Sequence, residues 1–305
     1  MGVQGNTVLV TGGAGFIGSH LVEVLAESNT VRVLDRDQLE ASNPRSGAAT
    51  VYKGDIRNQK LLEEASKDVD VIFHEAAQVS VENSVANPKD SHSVNVGGTL
   101  NVLERAREIN SRVVLASSAA IYGTPQSIPI DESHPKNPES PYGLDKLSVD
   151  EYSRLYHELY GLETVALRYF NVYGPRQSGG QYSGVIDVFL DQALNDDPIT
   201  VHGDGSQTRD FVNVKDVVRA NQLAASSENV GEAYNIGSGS SISISDLATL
   251  IRDIAGSQSE IIHTDPRDGD INQSMADLSR ARDELGFDPT VSLREGLDRL
   301  VNIER

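Results

Sequence analysis

The chain contains no cysteine among its 305 residues. Disulfides, zinc–thiolate sites and cysteine nucleophiles are therefore excluded, and a reducing compartment is compatible with the composition. No stretch approaches the ~20 consecutive apolar residues that a membrane span needs, and residues 1–20 lack a basic segment followed by an apolar one. The seven histidines form no metal-binding spacing. We therefore predict a soluble, cytoplasmic protein with neither a membrane partner nor a metal.

Lysine is scarce as well, with seven lysines beside nineteen arginines, and the acidic excess gives a net charge of −19. Nucleic acid is excluded as a partner because phosphate backbones require a basic surface. An acidic, lysine-poor surface is found in ordinary acidic enzymes and in halophilic proteins, whose long-range charge repulsion is screened by salt. We favour the halophilic interpretation. An anionic nucleotide substrate would then need a few local arginines to bind its phosphates.

The length predicts about two domains. Repeated strand–helix–strand units in the first 170 residues predict an α/β fold with a doubly wound parallel sheet, which is Rossmann-like. Beyond residue 174 the pattern loosens into turns and short helices. We predict a first domain over 1–174, with 213–230 returning to it, and a smaller C-terminal substrate-binding lobe over 175–212 and 231–305. The predicted strands are 7–11, 31–35, 50–53, 69–74, 112–117 and 163–168, and the predicted helices are 16–27, 58–66, 89–109 and 142–160.

A glycine-rich turn joins the first strand to the first helix, where the sequence from Thr11 reads TGGAGFIG. Gly12, Gly15 and Gly18 permit the tight turn, the approach of backbone N–H groups to a pyrophosphate, and close helix–strand packing. The helix N-terminus then faces the phosphates with its partial positive charge. Asp35 closes the next strand, as such sites require. We therefore predict a dinucleotide site at this turn.

Tyr142 and Lys146 lie four residues apart at the start of the predicted helix 142–160, so they share one helix face. They follow the fifth strand, which ends in Ser117 and Ser118, and doubly wound sheets bind ligands at that edge. A tyrosine has a pKa of about 10, so a phenolate base near neutral pH needs an adjacent positive charge, which Lys146 supplies. The alternative is an ordinary surface pair, but the position after the fifth strand favours catalysis.

These motifs resemble those of the extended short-chain dehydrogenases/reductases, specifically the nucleotide-sugar epimerase/dehydratase family. The resemblance covers essentially the whole length and is more specific than any single motif. The matching segments are TGGAGFIG from Thr11, Asp35, GDIR from Gly54, HEAA from His74, VNVGGT from Val94, SSAAIYG from Ser117, YGLDK from Tyr142, RYFNVYGPR from Arg168, RDFVNV from Arg209, NIG from Asn235 and PRDGD from Pro266.

The resemblance implies NAD as the cofactor, because Asp35 would bind the adenosine ribose hydroxyls and repel a 2′-phosphate. It implies Ser118, Tyr142 and Lys146 as catalytic residues, with Tyr142 and Lys146 also holding the nicotinamide ribose. The cofactor-binding residues it implies are Gly12, Gly15, Phe16, Ile17, Gly18, Asp35, Asp55, Ile56, Ala76, Ala77, Asn95, Ser117, Tyr142, Lys146 and Tyr169.

The resemblance also implies that Arg209 and Arg267 clamp the pyrophosphate of a UDP-sugar, the bidentate task for which arginine is suited. Just before Ala276, related hexose epimerases carry either a tyrosine or a small residue, and Ser274 stands there. A small residue admits an N-acetyl group without rejecting the smaller sugar. We therefore predict UDP-GlcNAc/UDP-GalNAc and/or UDP-Glc/UDP-Gal as substrates. The implied substrate-binding residues are Ser118, Tyr142, Asn171, Arg176, Arg209, Arg267 and Ser274.

The residues after Ser118 indicate the reaction. In this family, 4,6-dehydratases carry an acidic pair there and decarboxylases a glutamate, whereas this chain has Ala119 and Ala120, which cannot transfer a proton. The resemblance then implies 4-epimerisation. Tyr142, assisted by Ser118, removes the C4″ hydroxyl proton while hydride passes to NAD, and the 4-keto sugar turns over and is reduced on its other face.

Three alternatives stay open. Another redox reaction on the same scaffold is one, namely uronate epimerisation, C2 or C5 epimerisation, or keto-sugar reduction. A second, of another class, is a non-catalytic dinucleotide-sensing protein, which the proton path through Ser118, Tyr142 and Lys146 disfavours. The third concerns assembly: the helices near 89–109 and 142–160 are apolar on more than one face, which predicts a homodimer as in relatives, although packing within one chain would look similar.

Overall fold

Parallel strands dominate the computed structural model, which describes residues 3–38, 48–177, 184–267, 269 and 271–305. The strands are β1 (Thr7–Thr11), β2 (Thr30–Asp35), β3 (Ala49–Lys53), β4 (Val71–His74), β5 (Arg112–Ser118), β6 (Thr164–Tyr169), β7 (Asn171–Tyr173), β8 (Ile199–His202), β9 (Thr208–Arg209), β10 (Phe211–Asn213), β11 (Glu232–Ile236), β12 (Ile242–Ser243) and β13 (Ile261–Thr264). The helices are α1 (Phe16–Leu25), α2 (Gln59–Ala65), α3 (Val81–Ala86), α4 (Pro88–His92), α5 (Gly98–Ile109), α6 (Pro141–Tyr160), α7 (Val185–Leu194), α8 (Val214–Ser226), α9 (Ile244–Ala255), α10 (Ser279–Leu285) and α11 (Leu293–Glu304).

Seven of these strands form one sheet in the order β11-β6-β5-β4-β1-β2-β3, and every pair is parallel. The prediction of a doubly wound Rossmann-like sheet is therefore confirmed. Its strands are apolar because helices cover both faces, with α1 and α8 on one side and α2, α5 and α6 on the other. The sequence prediction missed β11, in which only the last three residues, Tyr234 to Ile236, are buried.

A second hydrophobic cluster lies outside the sheet, where α7, α9 and α11 pack together with β8. Phe189, Leu247 and Leu297 are fully or almost fully buried in it. The helix α8, in contrast, packs against α1, β5 and β6. We propose the two-lobe division on this basis, with one correction: β11 and α10, which the prediction placed in the second lobe, pack with the sheet. None of the helices in the described parts of the chain combines the length and the hydropathy that a membrane span requires.

The predicted continuous α-helix over 89–109 is wrong in detail. The structure has α4, then a π-helical turn at Ser93–Gly97, then α5. The wide turn contains Asn95, whose side-chain amide is bonded to the backbone of Gln78 in the loop after β4. Such π turns are frequent at functional sites. A periodic apolar pattern does not reveal one inserted residue, so the sequence could not predict it.

Candidate active site

The glycine turn after β1 has the geometry that its sequence predicts. Gly12 has φ +71°, and a Cβ there would lie 2.6 Å from the backbone nitrogen of Ala76. A Cβ at Gly18 would overlap the carbonyl oxygen of Gly12. Gly15 is the N-cap of α1, and Phe16 and Ile17 form the first turn of that helix. The turn therefore presents bare backbone at a helix N-terminus, which fits a dinucleotide pyrophosphate.

Asp35 lies beside this turn at the end of β2. One carboxylate oxygen accepts a hydrogen bond from the backbone nitrogen of Ala14 at 2.9 Å, and the other accepts one from that of Asp37 at 3.0 Å. The carboxylate is thus fixed beside the glycine turn, at the edge of the predicted dinucleotide groove, where an adenosine ribose would lie. The structure fits the predicted ribose-binding role, which stays a prediction.

Two further segments border the same groove. Asp55 is paired with Arg57 at 2.8 Å, and the hydrogen bond from this guanidinium lowers the pKa of Asp55. Ala76 and Ala77 follow β4 in the loop that Asn95 holds, with Asn95 Oδ1 accepting from Gln78 N at 2.7 Å. The amide of Asn95 is therefore engaged in positioning this loop. Ile56, next to Asp55, is buried, and its side chain packs against Gly98 of α5.

The Ser118, Tyr142 and Lys146 side chains meet at the carboxyl end of β5. Ser140 caps α6, its Oγ accepting from Gly143 N at 3.0 Å, and this places Tyr142 in the first turn. Tyr142 lies beside Ser118, whose hydrogen bonding lowers the pKa of the Tyr142 hydroxyl. One turn further along α6, Lys146 Nζ donates to the carbonyl oxygen of Ala116 at 2.7 Å. The structure thus brings the three predicted catalytic residues together.

The electrostatics of this group are set by burial. Burial raises the pKa of Tyr142, and the hydrogen bond with Ser118 opposes that rise. Lys146 is 5% exposed, and burial lowers its pKa to about 8, against the charges of Glu75 and Asp145, which raise it. Lys146 is therefore largely protonated at neutral pH. Its predicted role, to supply the positive charge that a Tyr142 phenolate requires, stays a prediction.

Ser117 faces away from this group. Successive side chains along a strand point to opposite faces, and Ser117 Oγ donates to Asp150 Oδ2 at 2.8 Å in the interior. Asp150 is also bound by Arg168. The Ser117 hydroxyl is thus engaged with the protein, and its predicted cofactor contact stays a prediction.

Asp210 connects three of the predicted substrate-binding positions, and sequence reasoning missed it. The backbone oxygen of Asp210 accepts from both N and Nδ2 of Asn171 at 3.0 Å. Its carboxylate accepts from the backbone nitrogen of Ala276 at 3.0 Å, two residues beyond Ser274. Arg209 precedes it and donates from Nη1 to the carbonyl oxygen of Ile271 at 2.7 Å. The only available signal was the acidic residue inside the RDFVNV segment.

The remaining predicted substrate-binding residues lie in different surroundings. Ser274 is 3% exposed. Arg176, at φ +66°, binds Glu23 at 2.8 Å and His20 at 2.5 Å, both on α1. Arg267 is exposed. The Arg176 side chain is thus held against α1, and the substrate contacts of Arg176 and Arg267 stay predictions.

A parallel doubly wound sheet, a glycine turn beside an acidic residue, and a Ser–Tyr–Lys group at the end of β5 define a dinucleotide-dependent enzyme of the short-chain dehydrogenase/reductase type. The model of the NAD dependent epimerase/dehydratase family matches residues 8–237. The chain belongs to this family, and NAD is its cofactor, as Asp35 and the motif resemblance predict.

Named relatives match nearly the whole chain. A putative UDP-glucose 4-epimerase of Methanocaldococcus jannaschii is 44% identical over 299 residues, which cover 97% of each chain. A UDP-N-acetylglucosamine 4-epimerase of Methanobrevibacter ruminantium, solved with UDP-N-acetylmuramic acid, is 37% identical with a TM-score of 0.94 and covers 98% of each chain. A UDP-glucose 4-epimerase of Thermotoga maritima, solved with UDP-glucose, has the same identity, TM-score and coverage.

Proposed function

We propose that the protein is an NAD-dependent UDP-sugar 4-epimerase that oxidises C4″ transiently and reduces it again on the opposite face. One observation carries this proposal: Ser118, Tyr142 and Lys146 converge at the end of β5, and the chain continues with two alanines. The site therefore has the groups for one reversible oxidation. At positions 119 and 120 it lacks the second acid and base that a dehydratase of this family uses.

The side chains divide the proton transfer between them. Tyr142 Oη takes the proton of the C4″ hydroxyl, and Ser118 hydrogen-bonds at the same oxygen, while the Lys146 ammonium stabilises the phenolate form of Tyr142. Bound NAD supplies the hydride acceptor and donor and, when oxidised, a further positive charge. After the 4-keto sugar has turned over, Tyr142 Oη returns the proton. Protons and hydride balance over the cycle, so no net oxidation occurs.

We propose UDP-GlcNAc/UDP-GalNAc and UDP-Glc/UDP-Gal as the substrate pairs. The small side chain of Ser274 supports this breadth. Two solved relatives support it as well: the Methanobrevibacter ruminantium enzyme is named a UDP-N-acetylglucosamine 4-epimerase, and the Thermotoga maritima enzyme is named a UDP-glucose 4-epimerase. The hydrogen bond from Ala276 N to Asp210 also supports the proposal, because Asp210 accepts from Asn171 as well and so links the segment of Ser274 to that residue.

A bulky residue at position 274 should separate the two activities. We expect Ser274→Tyr to lower kcat/KM for UDP-GlcNAc about 100-fold through steric exclusion of the N-acetyl group, while UDP-Glc turnover stays within a few-fold. The measurement compares initial rates for both sugars, with Ser274→Ala as the control that keeps both activities. An equal loss for the two sugars would remove position 274 from the specificity pocket.

Proton NMR of the purified protein with UDP-GlcNAc and, separately, UDP-Glc tests the reaction itself. The proposal expects the C4″ epimer to appear with no net change in NADH, since a reductase would consume NADH stoichiometrically. If neither sugar changes after NAD is added, the proposal is wrong for these substrates, and uronates and keto-sugars with NADH become the next candidates.

A homodimer, salt adaptation and a cytoplasmic location complete the proposal. The exposed apolar side chains of Leu144, Leu159 and Tyr160 on α6 support a subunit contact there, and light scattering measures the mass in solution. The net charge of −19 supports salt adaptation, which activity measured across salt concentrations tests.

A further inference from the structure

A carboxylate that is not part of the predicted catalytic group connects two strands of the sheet next to that group. Glu75 is the first residue after β4, and its backbone nitrogen donates to Thr11 O at 3.1 Å. Its side-chain Oε1 accepts from the hydroxyl of Tyr169, the last residue of β6, at 2.8 Å. Because β5 lies between β4 and β6, this bond crosses the end of the strand that carries Ser118.

The other end of this bridge is fixed by α8. The hydroxyl of Tyr169 accepts from Asn221 Nδ2 at 2.8 Å, and the same amide nitrogen donates to Val217 O at 3.0 Å. A tyrosine hydroxyl has one proton, and since Asn221 is the donor at one side, Tyr169 donates that proton to Glu75. The arrangement presents an oriented donor to the carboxylate and favours its charged form.

Lys146 and Glu75 lie at the ends of neighbouring strands. Lys146 Nζ donates to Ala116 O of β5, and the β4–β5 register pairs His74 with Leu115, so Glu75 follows alongside Ala116. Burial raises the pKa of Glu75 to about 7, against the Tyr169 hydrogen bond and the charge of Lys146, both of which lower it. In return the charge of Glu75 raises the pKa of Lys146, which burial has lowered to about 8. The neighbouring His74 lies between Thr11 and Thr99, and burial lowers its pKa to about 3. His74 is therefore uncharged and does not compete with Lys146 for the carboxylate.

The other groups that face this pair are already engaged. Asp145, on α6, also raises the pKa of Lys146, but its carboxylate accepts from Ser91 Oγ at 2.7 Å and is paired with His92 Nδ1 at 2.9 Å. Tyr142 shares α6 with Lys146 and interacts with Ser118. The element α8 contributes the neutral Asn221. Glu75 is thus the carboxylate whose interactions are with Tyr169 and Lys146.

We propose that Glu75 is a positioning residue of the catalytic group: held by Tyr169, its carboxylate is the counter-charge that keeps Lys146 an ammonium. The assignment rests on the proposed function for its catalytic consequence, but the Lys146–Glu75 interaction is measurable without turnover. An ammonium at Lys146 supports the phenolate of Tyr142, so the carboxylate extends the pH range of activity toward alkaline pH. Glu75 itself takes no proton from the sugar.

The direct test is the titration of Lys146 in Glu75→Gln. This substitution keeps the size and an acceptor for Tyr169 but removes the charge, so the Lys146 midpoint should fall by about 1 pH unit. The chain has seven lysines, so a ¹³Cε-lysine NMR titration is tractable, with the Lys146 signal assigned by its absence in Lys146→Met. Glu64→Gln, on the exposed surface of α2, is the matched control and should leave the midpoint unchanged.

Activity gives the second readout. In Glu75→Gln the alkaline limb of the kcat profile should move to lower pH by the same amount as the Lys146 midpoint, with KM for the UDP-sugar unchanged. Tyr169→Phe should shift both in the same direction by less, since it removes the hydrogen bond that keeps Glu75 charged, and it carries the test if Glu75→Gln fails to fold.

An unchanged Lys146 midpoint in a folded Glu75→Gln protein overturns the assignment, whatever the activity. So does a loss of kcat that is equal at every pH, because that result indicates a structural role only. If the wild-type protein produces no C4″ epimer while the Lys146 midpoint shifts as expected, the proposed function fails and the Glu75–Lys146 interaction stands.

Discussion

Replacing Tyr142 with phenylalanine should lower kcat for C4″ epimerisation by about 10³-fold, within the range that general acid–base groups contribute. The ring and its packing remain, and the variant lacks only the hydroxyl that interacts with Ser118. We therefore expect folding, NAD content and UDP-sugar binding to stay close to those of the wild type.

The rate is measured by NMR from the appearance of the epimer, and NAD content by release on denaturation. Tyr152→Phe is the matched control, since Tyr152 lies on the same helix and contacts Tyr156 rather than the catalytic group. Its rate should equal that of the wild type. Activity of Tyr142→Phe within tenfold of the wild type would contradict the mechanism and revive the interpretation of Tyr142 and Lys146 as an ordinary pair.

The parts of the site that depend on neighbouring residues were predictable from the sequence. The glycine turn needs only the strand, the three glycines and the helix that follow one another over residues 7–25. The Tyr142–Lys146 face needs only the helical repeat and the Ser140 cap. In each case backbone geometry fixes the position of the functional group relative to the adjacent chain. A local sequence pattern is therefore sufficient to predict that position.

The supporting contacts depend on residues far apart in the chain, and no local pattern contains them. Tyr169 and Glu75 are 94 positions apart, and Asp210 and Ala276 are 66 apart. The motif resemblance named Tyr169 without showing its partner. It likewise named Arg176 for a substrate contact, which stays a prediction, without showing that its side chain binds residues of α1. Charge compensation between buried groups that are far apart in the chain can be recognised only when the order of the strands in the sheet is known.

The most consequential of these distant contacts is the ion pair of Arg168 with Asp150. Arg168 Nε and Nη2 donate to the two carboxylate oxygens at 2.9 and 2.8 Å, and the side chains of Arg168 and Asp150 are 4% and 3% exposed. The third guanidinium nitrogen donates to the hydroxyl of Tyr122 at 2.9 Å. The hydroxyl of Ser117 also donates to Asp150. The ion pair is therefore bonded to the end of β5, where the catalytic group lies.

Removing the arginine alone should therefore destabilise the fold strongly. We expect Arg168→Met to lower the free energy of unfolding at neutral pH by about 3–5 kcal/mol, because it leaves a buried carboxylate without its main partner. Lys136, 3.7 Å from Asp150, offsets part of this cost. Arg154→Met is the matched control on the exposed face of α6, where the ion pairs with Glu151 and Glu158 should contribute less than about 1 kcal/mol.

The pH dependence separates loss of the charge pair from loss of packing. Burial raises the pKa of Asp150, but in the wild type the hydrogen bonds and charge of Arg168 outweigh it and hold that pKa below its usual value. This stabilisation is present above the unfolded-state pKa and is lost as pH falls through the native one. In Arg168→Met burial prevails and the pKa of Asp150 rises, so protonation of Asp150 on acidification relieves the cost of its buried charge.

Denaturant titrations should show that the loss of unfolding free energy is largest at neutral pH and smaller toward pH 5. Arg168→Met combined with Asp150→Asn should regain about half of this deficit. A deficit independent of pH, and not reduced in the double variant, would assign the loss to packing.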